Sequence, residues 1–311
     1  MVIDLGLAVL LDWILGDPYW FPHPIKLMGH LITFEQQWIR KYVKTDKQLK
    51  YGGLLMVVVN IMIVFGSVYT LLRVLTPYPV AYRIVNVYLL YTCLAARCLH
   101  HEAKKVYHAL KENIDKARYA LSFIVGRETA QLQEDEIVKA TVETVAENTS
   151  DGLIAPLLYA MIGGAPLALM YKMINTMDSM VGYVTAEYKD IGFFPAKIDD
   201  VFNFIPARLT GLLMNVSALF GFDILGGFKI MWRDRKNHKS PNCAYPEGAV
   251  AGLMGIQLGG SHRYFGEIIQ KPTIGEDTRK IIPQDITKVI EIMYRSEVML
   301  MIFYIGLELI L

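Results

Sequence analysis

YGGLLMVVVNIMIVFGSVYTLL, residues 51–72, runs without a charge between Lys50 and Arg73. About 20 helical residues at ~1.5 Å each cover the ~30 Å hydrocarbon core of a bilayer, so this stretch predicts a transmembrane helix. The next apolar run, Pro79 to Ala96, returns the chain across; its one charge, Arg83, lies near an end, from which a long stem can reach the headgroups. Gly152 to Tyr171 is a third uncharged stretch of spanning length, broken by Pro156, Gly163-Gly164 and Pro166. A straight lipid-facing helix is not expected there. Leu209 to Phe222 and Val298 to Leu307 are shorter and span only with their flanks. The expectation is one integral membrane domain over 1–311, with membrane segments near 1–15, 51–72, 79–96, 152–171, 205–222 and 295–311.

Composition agrees with a membrane solvent. Residues of the AVILMFWYC set make up 53% of the chain, charged residues 20%, and the mean hydropathy is +0.32. Lys plus Arg (31) nearly cancel Asp plus Glu (30), which excludes a basic nucleic-acid binder. Cys93, Cys98 and Cys243 form no CxxC or Cys/His cluster and read as reduced packing residues rather than zinc ligands. Met1 to Leu15 is apolar but carries Asp4 and Asp12, lacks a basic leader and a small-x-small cleavage site, and is expected to stay on the mature protein. Within Arg97 to Ser150, apolar Val106, Leu110 and Ile114 recur at spacing four among charges, an amphipathic helical pattern. No alternation is strong enough to build a sheet, and no internal repeat or low-complexity linker stands out. The fold class is therefore mainly α: a polytopic membrane helical bundle with amphipathic cytosolic helices and a Pro/Gly-broken segment.

Basic residues are dense in 40–50, 97–139 and 229–295 and sparse around 74–82, so the positive-inside rule places those three regions in the cytoplasm. If 152–171 and 209–222 both crossed, the polar loop Lys172 to Arg208 would face outward. Irregular backbone at membrane depth is tolerated where it lines a cavity, so a re-entrant 152–171 would keep that loop cytosolic.

Several polar groups have the spacing that chemistry needs. Glu143, Glu147 and Asp151, at i, i+4 and i+8, share one helical face and repel unless a cation or basic group lies between them. Such an oxygen-rich face suits Mg²⁺, although a solvated acidic face has the same pattern. Asn148 and Thr149 stand within it. Asn175 and Asp178 share a helical face or form a cap. Asp199 and Asp200 are adjacent and point apart, and only Asp199 shares a face with Asn203. Arg208 is an interfacial snorkelling residue or a phosphate or carboxylate clamp. Gly16-Asp17-Pro18 and Pro22-His23-Pro24 are stiff turns that fix the directions of Asp17 and His23, the latter more often a cap than a catalyst. Ser240-Pro241-Asn242 and Pro246-Glu247-Gly248 form a polar turn cluster that binds a ligand or simply connects helices. GxxxxGK[ST], a strand-linked GxGxxG, GxSxG and HExxH are absent.

The stretches LGDPYWFPHPIKLMG (15–29), ENTSDGLIAPLLYAMIGGAPLALMYKMINTMDSMVGY (147–183), DDVFNFIPARL (199–209) and SPNCAYPEGAVAGLMGIQLGG (240–260) resemble, in this order, the adenosylcobinamide-phosphate synthase family of cobalamin biosynthesis, called CobD or CbiB. The resemblance covers nearly the whole chain; Tyr19 and Ala244 depart from it, where a second proline and a glycine are common. It implies a multi-pass cell-membrane ligase, with its site facing the cytoplasm, that joins adenosylcobyric acid to (R)-1-amino-2-propanol or its O-phosphate. ATP would be the co-substrate, Mg²⁺ the metal, and no tightly bound organic cofactor is implied. On that resemblance Glu147 and Asp151 hold the metal, with Asp178 as a third ligand or base. Asp199 or Asp200 binds a second Mg²⁺ or accepts the amine proton, and His23 is a further catalytic candidate. Arg127, Arg208, Ser240, Asn242 and Glu247, together with Asp17, Asn148, Asn175, Tyr183 and Asn203, are candidates for holding phosphate and corrin carboxamides. Membrane lipid is an expected partner, as are a second copy of the chain or other cobalamin-assembly enzymes.

Two other classes remain at this level. A membrane phospho-alcohol or prenyl transferase also uses carboxylates at helix ends, but Asp151-Gly152-x-x-Ala155 is followed by Pro156 where that signature needs arginine. A transporter or sensor could use the broken segment as its substrate site.

Overall fold

The structure, a computed structural model, describes residues 1–18, 20–264 and 267–310, with backbone only at 261–264 and 267–271. The departure at Tyr19 lies outside the described residues. In chain order the helices are α1 (Val2–Leu15), α2 (Pro24–Tyr42), α3 (Asp46–Leu75), α4 (Pro79–Tyr91), α5 (Ala96–Glu112), α6 (Ile114–Leu121), α7 (Glu134–Thr149), α8 (Ala155–Val181), α9 (Phe193–Phe202), α10 (Phe204–Ser217), α11 (Ile224–Asp234), α12 (Ala244–Met254) and α13 (Gln284–Ile310). A π-helical turn, Ser150–Ile154, separates α7 from α8. Local chemistry sets the ends. Thr45 caps α3 by accepting from Gln48 N at 3.3 Å, Gln133 and Glu136 form a capping box on α7, and Pro24 and Pro79 occupy first turns, where no backbone donor is needed.

Contrary to the expectation of no sheet, β1 (Gln257–Tyr264) and β2 (Glu267–Gly275) pair as an antiparallel hairpin. Gly259, Gly260 and Gly275 take φ values of 72°, 95° and 93°, and the register shifts between Gly259 and Ser261. A strand whose interior is glycine carries no period-2 apolar signal, so the pattern rules miss it.

The chain forms two compact units, Met1–Ala95 with Ala155–Asn203, and Ala96–Ile154 with Phe204–Leu311. In the first, α3 packs on α8 and α9, and α1 packs on α4. The approach of α3 to the turn that leads into α9 needs Gly53, where a Cβ would collide with the Ile191 carbonyl. Asn60 interrupts the apolar run of α3 for a structural reason: it donates to Glu35 Oε2 on α2 at 2.5 Å. Arg83, whose side chain is exposed, lies 3.2 Å from Asp4 of α1, whose other oxygen accepts from Asn86 at 2.9 Å. The buried acid of α1 thus acquires its counter-charge from α4. α8 is not one straight rod, because Gly163 (φ −140°) and Gly164 (φ 67°) leave the helical region and Pro166 opens the following half. Pro156 is tolerated because it sits in the first turn of α8.

In the second unit, α12 packs against α10 and α11, and α13 against α5, α7 and α10. A Cβ at Gly252 would strike the Gly226 backbone, so the α11/α12 approach depends on glycine. Asp234 anchors the hairpin base by accepting from Gly275 N at 2.8 Å and from Arg233 Nε at 2.7 Å.

Three helical stretches among the described residues are long and apolar enough to cross a membrane: Asp46–Leu75, Pro79–Glu112 and Glu134–Val181. Leu55, Met62, Phe65 and Tyr69 of α3 are exposed, as lipid-facing side chains are. α1 and α10 have 14 residues each, roughly 21 Å at ~1.5 Å per residue and short of a ~30 Å core. α13 has 27 residues but carries Asp285, Lys288, Glu291, Arg295 and Glu297 in its first half. The chain is a mainly α membrane protein.

Candidate functional site

Two carboxylate clusters, one in each unit, gather most of the candidates. In the first unit, α9 presents Asp199 to α8. Its Oδ2 accepts from Asn203 Nδ2 at 2.9 Å and its Oδ1 from Asn175 Nδ2 at 3.4 Å. Asn203 is fixed in turn, its Oδ1 accepting from Tyr171 OH at 2.8 Å. Tyr171 stacks on Tyr159 with ring centroids 5.1 Å apart, and Tyr159 OH donates to the Phe202 carbonyl at 2.7 Å. Burial in this aromatic wall, with the Asp178 carboxylate nearby, pushes the Asp199 carboxyl up to about 7. The amides hold the charged form but do not offset both effects. Asp200, one residue on, points away and lies 3.4 Å from Lys197, as adjacency on a helix requires.

In the second unit the centre is Cys243, just before α12. Its thiol donates to Glu147 Oε1 at 3.0 Å. Burial first, then the carboxylates of Glu147, Glu247 and Asp151, push the thiol well above its ordinary value, so it stays protonated. Next to it, Arg208 on α10 donates to the Phe204 carbonyl at 2.6 Å and to Asn242 Oδ1 at 3.3 Å. Its guanidinium lies over the rings of Phe204 (3.4 Å to the centroid) and Tyr245 (4.3 Å). Ser240 Oγ accepts from Asn242 N at 3.3 Å, which shapes the loop that carries them.

The acidic face divides differently from the expectation. Glu143 pairs with Arg127 and accepts from Gly259 N at 2.7 Å, so both members of that pair are committed to holding the hairpin and the α7 flank. Glu147 and Asp151 face Cys243 instead. The π-helical turn that begins at Ser150 shifts Asp151 out of the α period on which the i+8 spacing rests.

Mg²⁺ can be tested against these donors. Glu147, Asp151 and Glu247 are hard oxygen ligands, and Ser150 Oγ is buried without a partner beside them in sequence. Among the described residues no three His, Cys, Asp or Glu side chains close on one point as a preformed centre. An ion placed there would be held by one or two of these carboxylates and would keep water and phosphate oxygens for its other positions. Asp178, expected as a third ligand, belongs to the other unit, next to Asp199.

The other candidates lie elsewhere. His23 caps α2, its Nδ1 accepting from Ile25 N at 3.3 Å, with Nε2 3.3 Å from Asp17 Oδ1. The pair is turn-fixed, as the Gly/Pro pattern predicts, and serves the helix start. Asn148 donates back to the Thr144 carbonyl at 2.9 Å. Tyr183, past the end of α8, is exposed and edge-on to Tyr188.

The family described as CobD/Cbib protein has a sequence profile that matches residues 5–293. The chain belongs to that family. It is 54% identical over 307 residues to "Cobalamin biosynthesis protein CobD" of Clostridium acetobutylicum, covering 98% of this chain and 97% of that one. It is 47% identical over 309 residues to the Listeria monocytogenes protein of the same name, covering 98% and 97%. It is 45% identical over 305 residues to "Cobalamin biosynthesis protein CbiB" of Salmonella arizonae, covering 96% and 95%. No solved structure matches the chain.

Within this CobD/Cbib chain, sequence reasoning missed Cys243 and the aromatic seat of Arg208. Cys243 carries no metal-ligand spacing, and only its place inside the quoted 240–260 stretch could have drawn notice. Tyr159 and Tyr171 were legible as apolar helix residues, but not as a stacked wall for Asp199.

Proposed function

We propose that this chain ligates the free side-chain carboxylate of a corrinoid, adenosylcobyric acid, to the amine of (R)-1-amino-2-propanol or its O-phosphate, with ATP as co-substrate, as a step of cobalamin biosynthesis. Family membership and relatives named for cobalamin biosynthesis support the pathway; the observation that carries the chemistry is Asp199, a buried carboxyl raised to about 7 beside Asp178. A carboxylate resists amines until its oxygen can leave. Attack of that oxygen on the γ-phosphorus of ATP gives an acyl phosphate and ADP; the amine then adds to the carbonyl, and phosphate leaves. The amine must lose a proton to finish the amide, and a carboxyl with a pKa near neutrality is matched to receive it. Asn175 and Asn203 fix the direction of its lone pairs.

Glu147, Asp151 and the Ser150 hydroxyl would hold Mg²⁺, which when bound supplies charge neutralisation for phosphate oxygens. Arg208, aligned by two rings and Asn242, offers a planar guanidinium to phosphate or carboxamide oxygens. The protein is assigned to the cell membrane as a multi-pass enzyme, with its basic regions 40–50, 97–139 and 229–295 and its chemistry on the cytosolic side. Cysteine labelling at Thr185 and Asp190 from the inner face alone is the expected result for that orientation; labelling from outside only overturns it.

The decisive assay mixes purified protein with adenosylcobyric acid, ATP, Mg²⁺ and either amine and follows the corrinoid by mass. An ATP-dependent gain matching one amide is expected. No gain with either amine defeats the reading.

A further inference from the structure

A cationic, histidine-rich face of α5 stands apart from both carboxylate clusters. α5 is seated in the second unit by Ala96, Leu99, Ala103 and Val106, all buried, and packs on α7 and α13. Away from that seam, Arg97, His101, the adjacent pair Lys104-Lys105, and His108 recur at intervals of about one helical turn. Asn113 caps α6, accepting from Asp115 N at 2.6 Å, and the chain turns back to bring Lys116 to the same side. Together they line an open groove of about 540 Å³, within the ~300–1,000 Å³ typical of ligand sites.

The charge balance of this groove is one-sided. The lining holds four cations, Arg97, Lys104, Lys105 and Lys116, and one carboxylate, Glu112; Lys116 lies 2.7 Å from Glu112, and Lys105 lies 2.7 Å from Glu102 one turn back on α5. Like charges on neighbouring turns repel, so a helix that stacks them is relieved by an anion. His100, also lining the groove, is held in direction: its Nδ1 lies 3.1 Å from Tyr294 OH on α13, and the two rings meet edge-on at 5.6 Å. Imidazole N–H groups beside ammonium and guanidinium groups make a donor-rich, acceptor-poor wall, the complement of phosphate oxygens.

We propose that this groove binds a phosphate-rich anion, a linked di- or triphosphate or the phosphate of a lipid headgroup. The proposal stands independently of the ligase reading and its test uses no turnover.

The full chain, in nanodiscs of phosphatidylcholine alone, is titrated with inorganic pyrophosphate by calorimetry, beside His101→Gln/Lys104→Gln/His108→Gln and the milder Lys104→Gln. Wild type is expected to bind, the triple variant at least tenfold more weakly, and the single variant in between, which assigns a soluble phosphate. In a second arm, nanodiscs containing phosphatidylglycerol are compared by thermal unfolding. Stabilisation of wild type but not of the variants, without pyrophosphate binding in the first arm, assigns the headgroup. Wild type that responds to neither, or folded variants that respond as wild type does, overturns the proposal; Lys104→Gln alone decides if the triple variant does not fold.

Discussion

The two carboxylate clusters solve the same electrostatic problem in opposite ways. Around Asp199 a buried carboxyl is surrounded by neutral amides and aromatic rings, so burial and the neighbouring Asp178 charge, with a smaller push from Asp200, raise its pKa to about 7. Around Cys243 three carboxylates crowd a protonated thiol, and the nearby cation, Arg208, is turned onto two rings and an amide. The first arrangement favours holding a proton that can be exchanged near neutrality. The second brings hard carboxylate oxygens together, the donor type that Mg²⁺ takes. Both contain acids, yet the surroundings assign them different chemistry.

Removing the carboxyl of the first cluster breaks that contrast most directly. Asp199→Asn is expected to lower kcat by ~10²–10⁴, the usual contribution of a positioned general base, while Mg²⁺ dependence stays that of wild type. Steady-state rates across a Mg²⁺ series check both parts. Asp151→Asn should cost ~10²–10³ in the same assay, by analogy with loss of one electrostatic stabiliser, and should raise the Mg²⁺ needed for half-maximal rate while membrane insertion is kept. Full activity in that variant removes Asp151 from the metal set.

Arg208→Lys keeps the charge but loses the planar fork and the ring stacking. It should raise KM for the phosphate-bearing substrate by about tenfold, or ~1.4 kcal/mol, with kcat little changed. Asp178→Asn sharpens the comparison without removing a donor: one like charge near Asp199 disappears, so the acid-side limb of kcat, a rise with pH expected near 7 in wild type, moves to lower pH. The stability sign follows. Asp199 has a folded pKa above its unfolded value of 3.8, so the folded state holds the extra proton between about 4 and about 7. That contribution is complete below the unfolded pKa and lost as pH rises through about 7. Wild type should therefore lose more melting temperature between pH 5 and pH 8 than Asp199→Asn does. The smallest effect is expected for Cys243→Ser, which keeps a donor to Glu147 and should change activity by less than about threefold.

Much of this was legible before any coordinates. Tyr51 to Leu72 reads as a spanning helix because lipid demands an uncharged run of that length, and α3 contains it. Pro156, Gly163-Gly164 and Pro166 announce a break in α8, and the backbone departs at the glycine pair. Adjacency alone separates Asp199 from Asp200, since neighbouring helical side chains diverge. The hairpin at 257–275 was not legible, because its glycines erase alternation. Nor was the fate of Glu143: spacing groups it with Glu147 and Asp151, but Arg127 and the Gly259 amide take it out of that set.

By itself the sequence determined the solvent, the helical class and the family, because hydropathy, helix period and long motif stretches are properties of neighbours along the chain. The tertiary structure decided which acids are neutralised, which is buried enough to hold a proton near pH 7, and that Cys243 sits among carboxylates. Those outcomes depend on desolvation and on charges brought close by packing, and a linear pattern carries neither quantity.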